Sequence, residues 1–185
     1  SLLYVNATSA LLVTSKYLVE PAGGTKAAYL YSPAGHAPAE VVARHNTLDL
    51  ALLRIELRGQ ESLHVQPVRN ATTLVNDETV YSLGHPDGQF YTFNSGTGTP
   101  ADANNRVPLD WTVKPGSFGA PIYDSAGRLI ALAAAQQQDQ LGLSTSAINA
   151  SVLLEINGWT FASGQRRYYD EYIANPKIRA PAQPN

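Results

Sequence analysis

The sequence contains no cysteine and no methionine, and only 15% of its 185 residues are charged. Without cysteine, the chain cannot carry thiolate catalysis, cysteine-ligated zinc, an iron–sulfur cluster or a disulfide framework. Its 13 basic and 15 acidic residues give a net charge of −2, so nucleic acid and anionic membrane surfaces are not predicted partners. No apolar run approaches the roughly 20 residues that cross a bilayer, so we predict no membrane contact from this segment.

What the chain does have is a β-strand pattern over most of its first 145 residues. Short apolar runs alternate with Gly, Pro, Asn or Asp, which predicts strands joined by turns. In the clearest run, Leu53, Ile55 and Leu57 alternate with charged residues at 54, 56 and 58, which predicts one buried and one solvated face. The predicted strands are Leu2–Val5, Ala10–Thr14, Ala27–Tyr31, Glu40–Arg44, Leu50–Leu57, Thr79–Leu83, Gln89–Asn94, Val107–Trp111, Ala120–Tyr123 and Leu129–Ala135.

Two helices and a tail are predicted after these strands. Apolar residues recur at helical spacing over 148–156, and Gly158 follows as a C-terminal stop, which predicts a helix packed on the β-structure. Residues 166–173 are predicted to form a second short helix, with Tyr168/Tyr172 and Tyr169/Ile173 as i, i+4 pairs. The Pro-rich segment from Asn175 onward is predicted to be a linker or arm outside the core.

Three segments together carry a family pattern. Residues 11–20 read Leu-Leu-Val-Thr-Ser-Lys-Tyr-Leu-Val-Glu, residues 48–55 read Leu-Asp-Leu-Ala-Leu-Leu-Arg-Ile, and residues 114–123 read Lys-Pro-Gly-Ser-Phe-Gly-Ala-Pro-Ile-Tyr. In this order they resemble the three catalytic neighbourhoods of trypsin-like serine proteases of the bacterial HtrA/DegP type. Stretches at 82–88, 94–96 and 142–149 extend the resemblance over roughly residues 1–157.

The resemblance implies a fold class and a domain organisation. The expected fold is all-β, with two packed six-stranded antiparallel β-barrels, an active-site crevice between them and a C-terminal helix. We assign residues 1–65 to the N-terminal barrel half and 66–158 to the C-terminal half with its closing helix. Residues 159–185 are then the Tyr/Arg-rich segment and the Pro-rich tail.

The same resemblance implies a degenerate catalytic triad. It aligns Tyr17 with the family's histidine, Asp49 with its aspartate and Phe118 with its nucleophilic serine. Phe118 has no nucleophilic atom, and a phenol with a pKa near 10 cannot act as the general base at neutral pH. We therefore predict a catalytically inactive pseudoprotease in which Gly116 and Ser117 belong to a vestigial oxyanion loop and the Phe118 ring fills part of the cleft.

Two details of this site have alternative interpretations. In the remote alternative, the chain is an active serine hydrolase that uses Ser117 as a displaced nucleophile. Otherwise Ser117 is a loop serine. Asp49 is either retained for a function or satisfies backbone N–H groups at the start of a strand, with a hydrogen bond from Tyr17 as one option. Ala120 replaces a family glycine, and its Cβ is expected to restrict the loop.

No cofactor is predicted, and a divalent transition metal is the alternative. The chain has four histidines, His36, His45, His64 and His85, with neither helical i, i+4 spacing nor an H-E-x-x-H pattern, so surface or turn positions are expected. The alternative function is a metal-binding module on the same fold that uses surface histidines. His36 and His45, which flank the predicted strand Glu40–Arg44, are its candidate ligands.

The predicted function is protein binding, scaffolding or regulation, with a partner that the sequence does not identify. Arg166, Arg167 and the tyrosines of 168–172 form either a binding hot spot or a helix packed on its own domain. The resemblance implies a periplasmic or otherwise exported location, with a membrane anchor in a segment outside this chain as one option. It also implies that a homo-oligomer is an option. Family members usually carry a PDZ domain after the protease domain, which residues 158–185 cannot build, so an excised domain or a stand-alone relative is expected.

Overall fold

Short apolar runs between turn residues form strands through most of the chain, as predicted. The computed structural model describes residues 1–19, 28–32, 35–57, 63–134 and 144–180. Predictions that concern residues 20, 27, 58, 135, 142–143 and 181–185 lie outside that description. The elements are β1 (Leu2–Val5), β2 (Ser9–Thr14), β3 (Ala28–Ser32), β4 (Gly35–His45), β5 (Ala51–Glu56), β6 (Glu78–Gly84), β7 (Thr92–Gly98), β8 (Arg106–Val113), β9 (Pro121–Asp124), β10 (Leu129–Ala133), β11 (Ser144–Asn149), β12 (Trp159–Phe161) and α1 (Arg166–Ala174).

The C-terminal half closes into a six-stranded antiparallel barrel. Its strands follow the order β10-β11-β8-β7-β6-β9 around the barrel. Along β6, Val80 and Ser82 face the interior while Tyr81 and Leu83 face outward, which is the alternation that a strand with one buried face requires. The interior is an apolar cluster that includes Val80, Val107, Leu109, Val113, Ile122 and Ile130.

The N-terminal half is a six-stranded antiparallel sheet. Its order is β1-β2-β5-β4-β12, with β3 paired to β4. Here β12 returns from the end of the chain and pairs with β4, so residues 159–161 complete this sheet. The predicted all-β fold with two antiparallel units is confirmed; the C-terminal unit is a closed six-stranded barrel, and the N-terminal unit is a six-stranded sheet where a second barrel was predicted.

One core cluster joins the two halves. It brings Leu50 and Leu52 together with Leu132 of β10 and Ile148 of β11, and α1 adds further apolar side chains. A separate cluster lies against the opposite face of the N-terminal sheet, so the central strands β2 and β5 are buried on both faces. A continuous apolar contact therefore joins the two halves.

The polar face of β5 is covered at Arg54, whereas the Glu56 side chain is 79% exposed, as predicted. Leu53 and Ile55 are buried as predicted, but the Arg54 side chain is only 13% exposed. It forms ion pairs with Glu40 and Glu56 at 3.2 Å, and its guanidinium lies 4.7 Å from the centre of the Tyr168 ring. The predicted exposure of Arg54 is wrong because the C-terminal helix packs over this face of the sheet.

The predicted helix over 148–156 is also wrong. Ile148 belongs to β11, and only Ala150–Leu154 turns helically, as a short 3₁₀ helix. The side-chain oxygen of Asn149 accepts hydrogen bonds from Ser151 N at 3.1 Å and from Ala71 N at 3.0 Å, which ends the strand and starts the turn. The apolar residues at helical spacing over 148–156 are thus divided between a strand and a turn.

The C-terminal segment confirms one prediction and corrects another. The predicted second helix is α1, in which Tyr169 and Tyr172 are buried. The tail, however, is part of the core as far as Ala180: Ile178 is 1% exposed, and Val68 bonds to both Ile178 and Ala180 through its backbone. No helix in the described part of the chain is long and apolar enough to span a bilayer.

Candidate functional site

Asp49 ties the turn between β4 and β5 to the segment that follows β2. Its Oδ2 accepts a hydrogen bond from the Ser15 hydroxyl at 2.6 Å, and its Oδ1 accepts one from the backbone N–H of Tyr17 at 2.9 Å. Ser15 is fully buried and precedes the 3₁₀ turn of residues 16–18. Because hydrogen bonds to a carboxylate are among the stronger ones in proteins, Asp49 positions this turn.

Tyr17 lies beside Asp49 but presents its side chain to solvent. The side chain is 67% exposed, and that of its neighbour Leu18 is 56% exposed. The predicted hydrogen bond between Tyr17 and Asp49 exists, with the backbone N–H as donor. The alignment of these two residues with triad positions stays a prediction, and their contact is consistent with it.

Replacing Asp49 by alanine is expected to lower the free energy of unfolding by about 1–3 kcal/mol, because the buried Ser15 hydroxyl then loses its acceptor. Urea denaturation measures the loss. A double-mutant cycle with Ser15→Ala should show coupling between the two positions, since each variant removes the same bond. Independent, additive effects of the two variants would contradict the structural role of Asp49.

His45, the last residue of β4, shapes the same turn. Its Nδ1 accepts hydrogen bonds from the N–H groups of Leu48 at 3.1 Å and Thr47 at 3.3 Å, which assigns the ring proton to Nε2. The ring is 8% exposed and meets Trp159 edge-on, with 5.0 Å between ring centroids. Burial, followed by the nearby Lys16 charge, lowers the pKa of His45 below 6.5. The expected surface position is wrong for this histidine, which positions the Asp49 turn.

The candidate metal ligands do not come together. His36 and His45 do not flank a strand as predicted, because β4 runs from Gly35 to His45 and contains both. His45 is nine positions after His36 along the strand, or roughly 30 Å at about 3.3 Å per residue, so they cannot bind the same ion within one chain. In the part of the chain that the structure describes, no group of three or more His, Asp or Glu side chains could hold a metal ion. The metal alternative stays a prediction without a ligand pair.

Glycines bring the loop between β8 and β9 against the Asp49 region. Gly119 has a φ of +85°, and a Cβ there would lie 2.6 Å from Thr14 Oγ1 and 2.9 Å from Ser15 N. Gly116 has a φ of +89°, and a Cβ there would clash with the backbone carbonyl of His85. Since only glycine adopts this conformation readily and leaves room for the close approach, the loop contacts the segment that Asp49 holds.

Two backbone N–H groups of this loop are available. Those of Ser117, Gly119 and Ala120 donate to backbone carbonyls at 2.6 to 3.0 Å, whereas those of Gly116 and Phe118 donate to no other described residue. They lie in the predicted vestigial oxyanion loop, and backbone N–H groups of this kind are the donors that an oxyanion hole uses. Ala120 has a negative φ, the conformation that a residue with a Cβ ordinarily takes, and the predicted restriction of the loop stays a prediction.

Phe118 packs its ring against the apolar cluster of the C-terminal barrel. The ring is half-buried, so the expectation that it fills part of the cleft stays a prediction. It supplies no atom for nucleophilic attack. Among the described side chains, those of His45, His64 and His85 make no hydrogen bond to Asp49 or to the Ser117 hydroxyl.

A cavity of about 370 Å³ lies between this loop and the β6–β7 hairpin. Ser117 is one of its lining residues, and the hydroxyl oxygen of this serine is buried without a hydrogen-bond partner among the described residues. Sequence reasoning treated Ser117 only as a loop serine or a remote nucleophile, because nothing in the local pattern reveals a cavity. The lining residues are Ser82, Pro86, Asp87, Gln89, Thr92, Asn94, Trp111, Thr112, Val113, Lys114, Ser117, Ile122 and Ala133.

Comparisons with known proteins agree with this geometry. A family model for the trypsin-like peptidase domain matches residues 2–132. The curated protein Protease Do-like 1, chloroplastic, of Arabidopsis thaliana is 29% identical over 107 residues, which cover 51% of this chain and 24% of that protein. This chain thus spans about a quarter of its curated relative.

Solved structures of HtrA and Deg proteases share the fold. The HtrA-type protease AlgW, solved with a decapeptide, has a TM-score of 0.64 at 18% identity, with 90% of this chain and 49% of that chain covered. Deg5 has a TM-score of 0.64 at 19% identity, and the match covers 82% of this chain and 78% of the Deg5 chain. The serine endoprotease from Yersinia pestis has a TM-score of 0.62 at 17% identity, and the match covers 93% of this chain and 56% of the endoprotease chain.

Proposed function

The chain belongs to the trypsin-like peptidase domain family, and we propose that it is a catalytically inactive member whose crevice and outer surface bind a protein partner. The observation that carries the proposal is the bonding of Asp49. Its carboxylate holds Ser15 and the backbone of Tyr17, and the side chain at position 17 is an exposed phenol instead of an imidazole. With Phe118 at the position aligned with the nucleophile, acyl transfer has neither a nucleophile nor a base.

The crevice retains features that suit binding of an extended polypeptide. The free N–H groups of Gly116 and Phe118 are suitable donors for a peptide carbonyl. The exposed side chains of Tyr17 and Leu18, in the turn that Asp49 holds, offer apolar contact area. Binding without chemistry requires only these groups, which the altered triad leaves in place.

An exposed aromatic surface on the β6–β7 hairpin also favours protein binding. The hairpin patch consists of Leu83, Phe90, Tyr91 and Phe93, whose side chains are 46%, 81%, 71% and 63% exposed. The His85 ring meets those of Phe90 and Tyr91 at 5.5 and 5.2 Å, and its Nδ1 accepts the Tyr91 N–H at 3.1 Å. Exposed apolar patches with ordered aromatic rings are typical of interaction surfaces.

Location and assembly follow from the same proposal. We extend to this domain the exported location and the homo-oligomerisation that the resemblance to HtrA-type proteases implies. Size-exclusion chromatography with light scattering measures the assembly state directly.

The proposed function predicts binding of an unfolded polypeptide without cleavage. Fluorescein-labelled casein, titrated with the chain, should show a saturable rise in fluorescence anisotropy. The casein should remain intact on a gel after prolonged incubation, because Tyr17 and Phe118 stand at the positions aligned with the base and the nucleophile. A fluorophosphonate probe should leave the protein unlabelled. Release of casein peptides, or labelling that disappears in Ser117→Ala, would contradict the inactive assignment.

The contribution of the hairpin patch is tested in the same titration. Replacing Phe90 and Tyr91 together by serine should weaken casein binding about tenfold, as expected for aromatic hot spots. Val75 is 65% exposed and lies outside the patch, so Val75→Ser serves as the matched control. Equal affinities for both variants would separate the patch from the binding surface.

A further inference from the structure

His45 is a buried titratable side chain that holds two backbone donors of the turn between β4 and β5. Its Nδ1 accepts from the N–H groups of Thr47 at 3.3 Å and Leu48 at 3.1 Å, and the residue is 8% exposed. We infer that protonation of His45 releases this turn, so that the fold contains an acid-sensitive switch next to Asp49. The inference concerns the conformation of the chain and does not depend on the proposed binding of a protein partner.

Only the neutral ring of His45 can make these two hydrogen bonds. A neutral imidazole has one acceptor nitrogen, and protonation converts that nitrogen into a donor. The N–H groups of Thr47 and Leu48 would then lie against a third N–H group and would lose their acceptor. The turn therefore loses both bonds when His45 takes up a proton.

The surroundings of the ring direct the response towards the turn. A Cβ at Gly158 would lie 2.7 Å from His45 Nε2, and the Trp159 ring meets His45 edge-on at 5.0 Å between centroids. Because Trp159 also pairs with His45 in the sheet, a rotation of the ring would displace β12. Asn46 and Thr47 are exposed, so the turn can move into solvent instead.

The charged groups around His45 set the pH range of the switch. Lys16 donates its Nζ to the His45 carbonyl at 3.0 Å, whereas Arg106 and Glu155, of opposite charge, line the cavity beside the ring. β12 contains no titratable residue. Burial, followed by the Lys16 charge, lowers the pKa of His45 below 6.5. The unfolded chain thus takes up this proton at a higher pH than the folded chain does. The stability that the neutral ring contributes is complete above pH 6.5 and is lost as the pH falls below that value.

Release of the turn reaches the segment that follows β2. Asp49 comes directly after Leu48, and its carboxylate accepts from the Ser15 hydroxyl at 2.6 Å and the Tyr17 N–H at 2.9 Å. A movement of Leu48 changes the position of Asp49 and thereby the two bonds that Asp49 accepts. The acid form of the chain therefore differs from the neutral form in the turn before β5 and in the turn that carries Tyr17.

The experiment is an NMR titration of the ¹⁵N-labelled chain between about pH 8 and 5. The His45 ring signal and the amide signals of Leu48 and Tyr17 should change with one common midpoint below 6.5. Hydrogen-exchange protection of the Leu48 amide should fall at least about tenfold across that midpoint. A ring that does not titrate in this range, or amide signals that stay constant while it titrates, would overturn the inference.

The variant His45→Asn connects the transition to the ring. The asparagine oxygen can accept from N–H groups two and three residues further on, as in an Asx turn, but it does not titrate. The pH-dependent change at Leu48 and Tyr17 should therefore disappear. His64 is exposed, so His64→Asn serves as the matched control and should retain the transition with an unchanged midpoint. A transition that persists in His45→Asn, or disappears in His64→Asn, overturns the inference.

The variant Lys16→Met tests the same switch without altering the ring or its two hydrogen bonds. Removing the ammonium group should move the common midpoint to higher pH, because the Lys16 charge disfavours a second positive charge on His45. This measurement holds even where His45→Asn does not fold. An unchanged or lower midpoint in Lys16→Met overturns the inference.

Discussion

Replacing Asp124 by asparagine should lower the free energy of unfolding by about 3–5 kcal/mol, the usual consequence of removing one partner from a buried ion-pair network. Asp124 is 2% exposed, at the end of β9. Its Oδ2 accepts from Arg69 at 3.1 Å and from Arg128 at 2.6 Å. Its Oδ1 accepts from the backbone N–H groups of Ala126 and Arg128. An asparagine amide would turn an N–H₂ donor towards groups that are themselves donors.

The network spans three parts of the barrel, which is why the expected loss is large. Arg69 is 7% exposed and also pairs with Glu78 of β6, while its NH2 group donates to the Thr73 carbonyl at 2.8 Å. Without Asp124, Arg69 keeps its charge in a buried position with one acceptor fewer. Urea unfolding measures the effect, with Asp170→Asn as the matched control.

That control removes an exposed ion pair of similar chemistry. Arg166 and Asp170 are 3.5 Å apart in α1, with side chains 61% and 55% exposed. Such pairs contribute about 0.3–0.5 kcal/mol. A loss in Asp124→Asn as small as that in Asp170→Asn would contradict the role assigned to the network.

The same network gives stability a defined pH dependence. Burial alone would raise the pKa of Asp124, but hydrogen bonds from Arg128 and Arg69 outweigh it and hold the pKa below 3.8. Glu78 follows the same pattern, and its pKa lies below 4.5 because of Arg69 and the Val75 N–H. The unfolded chain therefore binds protons at higher pH than the folded chain does. Stability is present in full above about pH 5 and falls as the pH drops through 4.5 and 3.8 towards the folded-state values. Asp124→Asn should make this decline shallower.

Local patterns predicted the strands and the family, but not the contacts between distant segments. The alternation in β5 identifies Leu53 and Ile55 as core, because a strand has a fixed two-residue period. Nothing within β5 indicates that the polar face, with Arg54, is covered by a helix more than 100 residues later. Arg69 and Asp124 are 55 residues apart, and each alone resembles an ordinary surface charge.

The candidate site divides in the same way. The positions of Tyr17, Asp49 and Phe118 were predicted from motif order, and the contact between Tyr17 and Asp49 agrees with that prediction. The role of His45 was missed because it depends on the geometry of a turn, and the cavity that Ser117 lines because a cavity has no sequence pattern. Ile178 was assigned to an arm because prolines surround it, whereas backbone pairing with Val68 places it in the core.

Restoring the two missing side chains together, as Tyr17→His with Phe118→Ser, should make the chain react with a fluorophosphonate probe at least about 100-fold faster than either single variant. Asp49 already bonds to the backbone of residue 17, and each carboxylate oxygen has two lone pairs, so it can accept from Ser15 and from an imidazole. The N–H groups of Gly116 and Phe118 remain available as oxyanion donors. Each single variant lacks either the nucleophile or the base, so both should remain unlabelled.

The restored variant also tests whether the side chains at positions 17 and 118 alone account for the proposed loss of catalytic activity. Adding Asp49→Asn to it should reduce labelling by orders of magnitude, because the asparagine cannot hold the imidazole in the required tautomer. A near-UV circular dichroism spectrum that matches the original chain establishes that the variant is folded. A folded double variant that stays unlabelled would show that the backbone of the loop around Gly116 has also departed from a catalytic arrangement. The inactive assignment would then rest on loop geometry as well as on Tyr17 and Phe118, and reversion of two residues could not undo it.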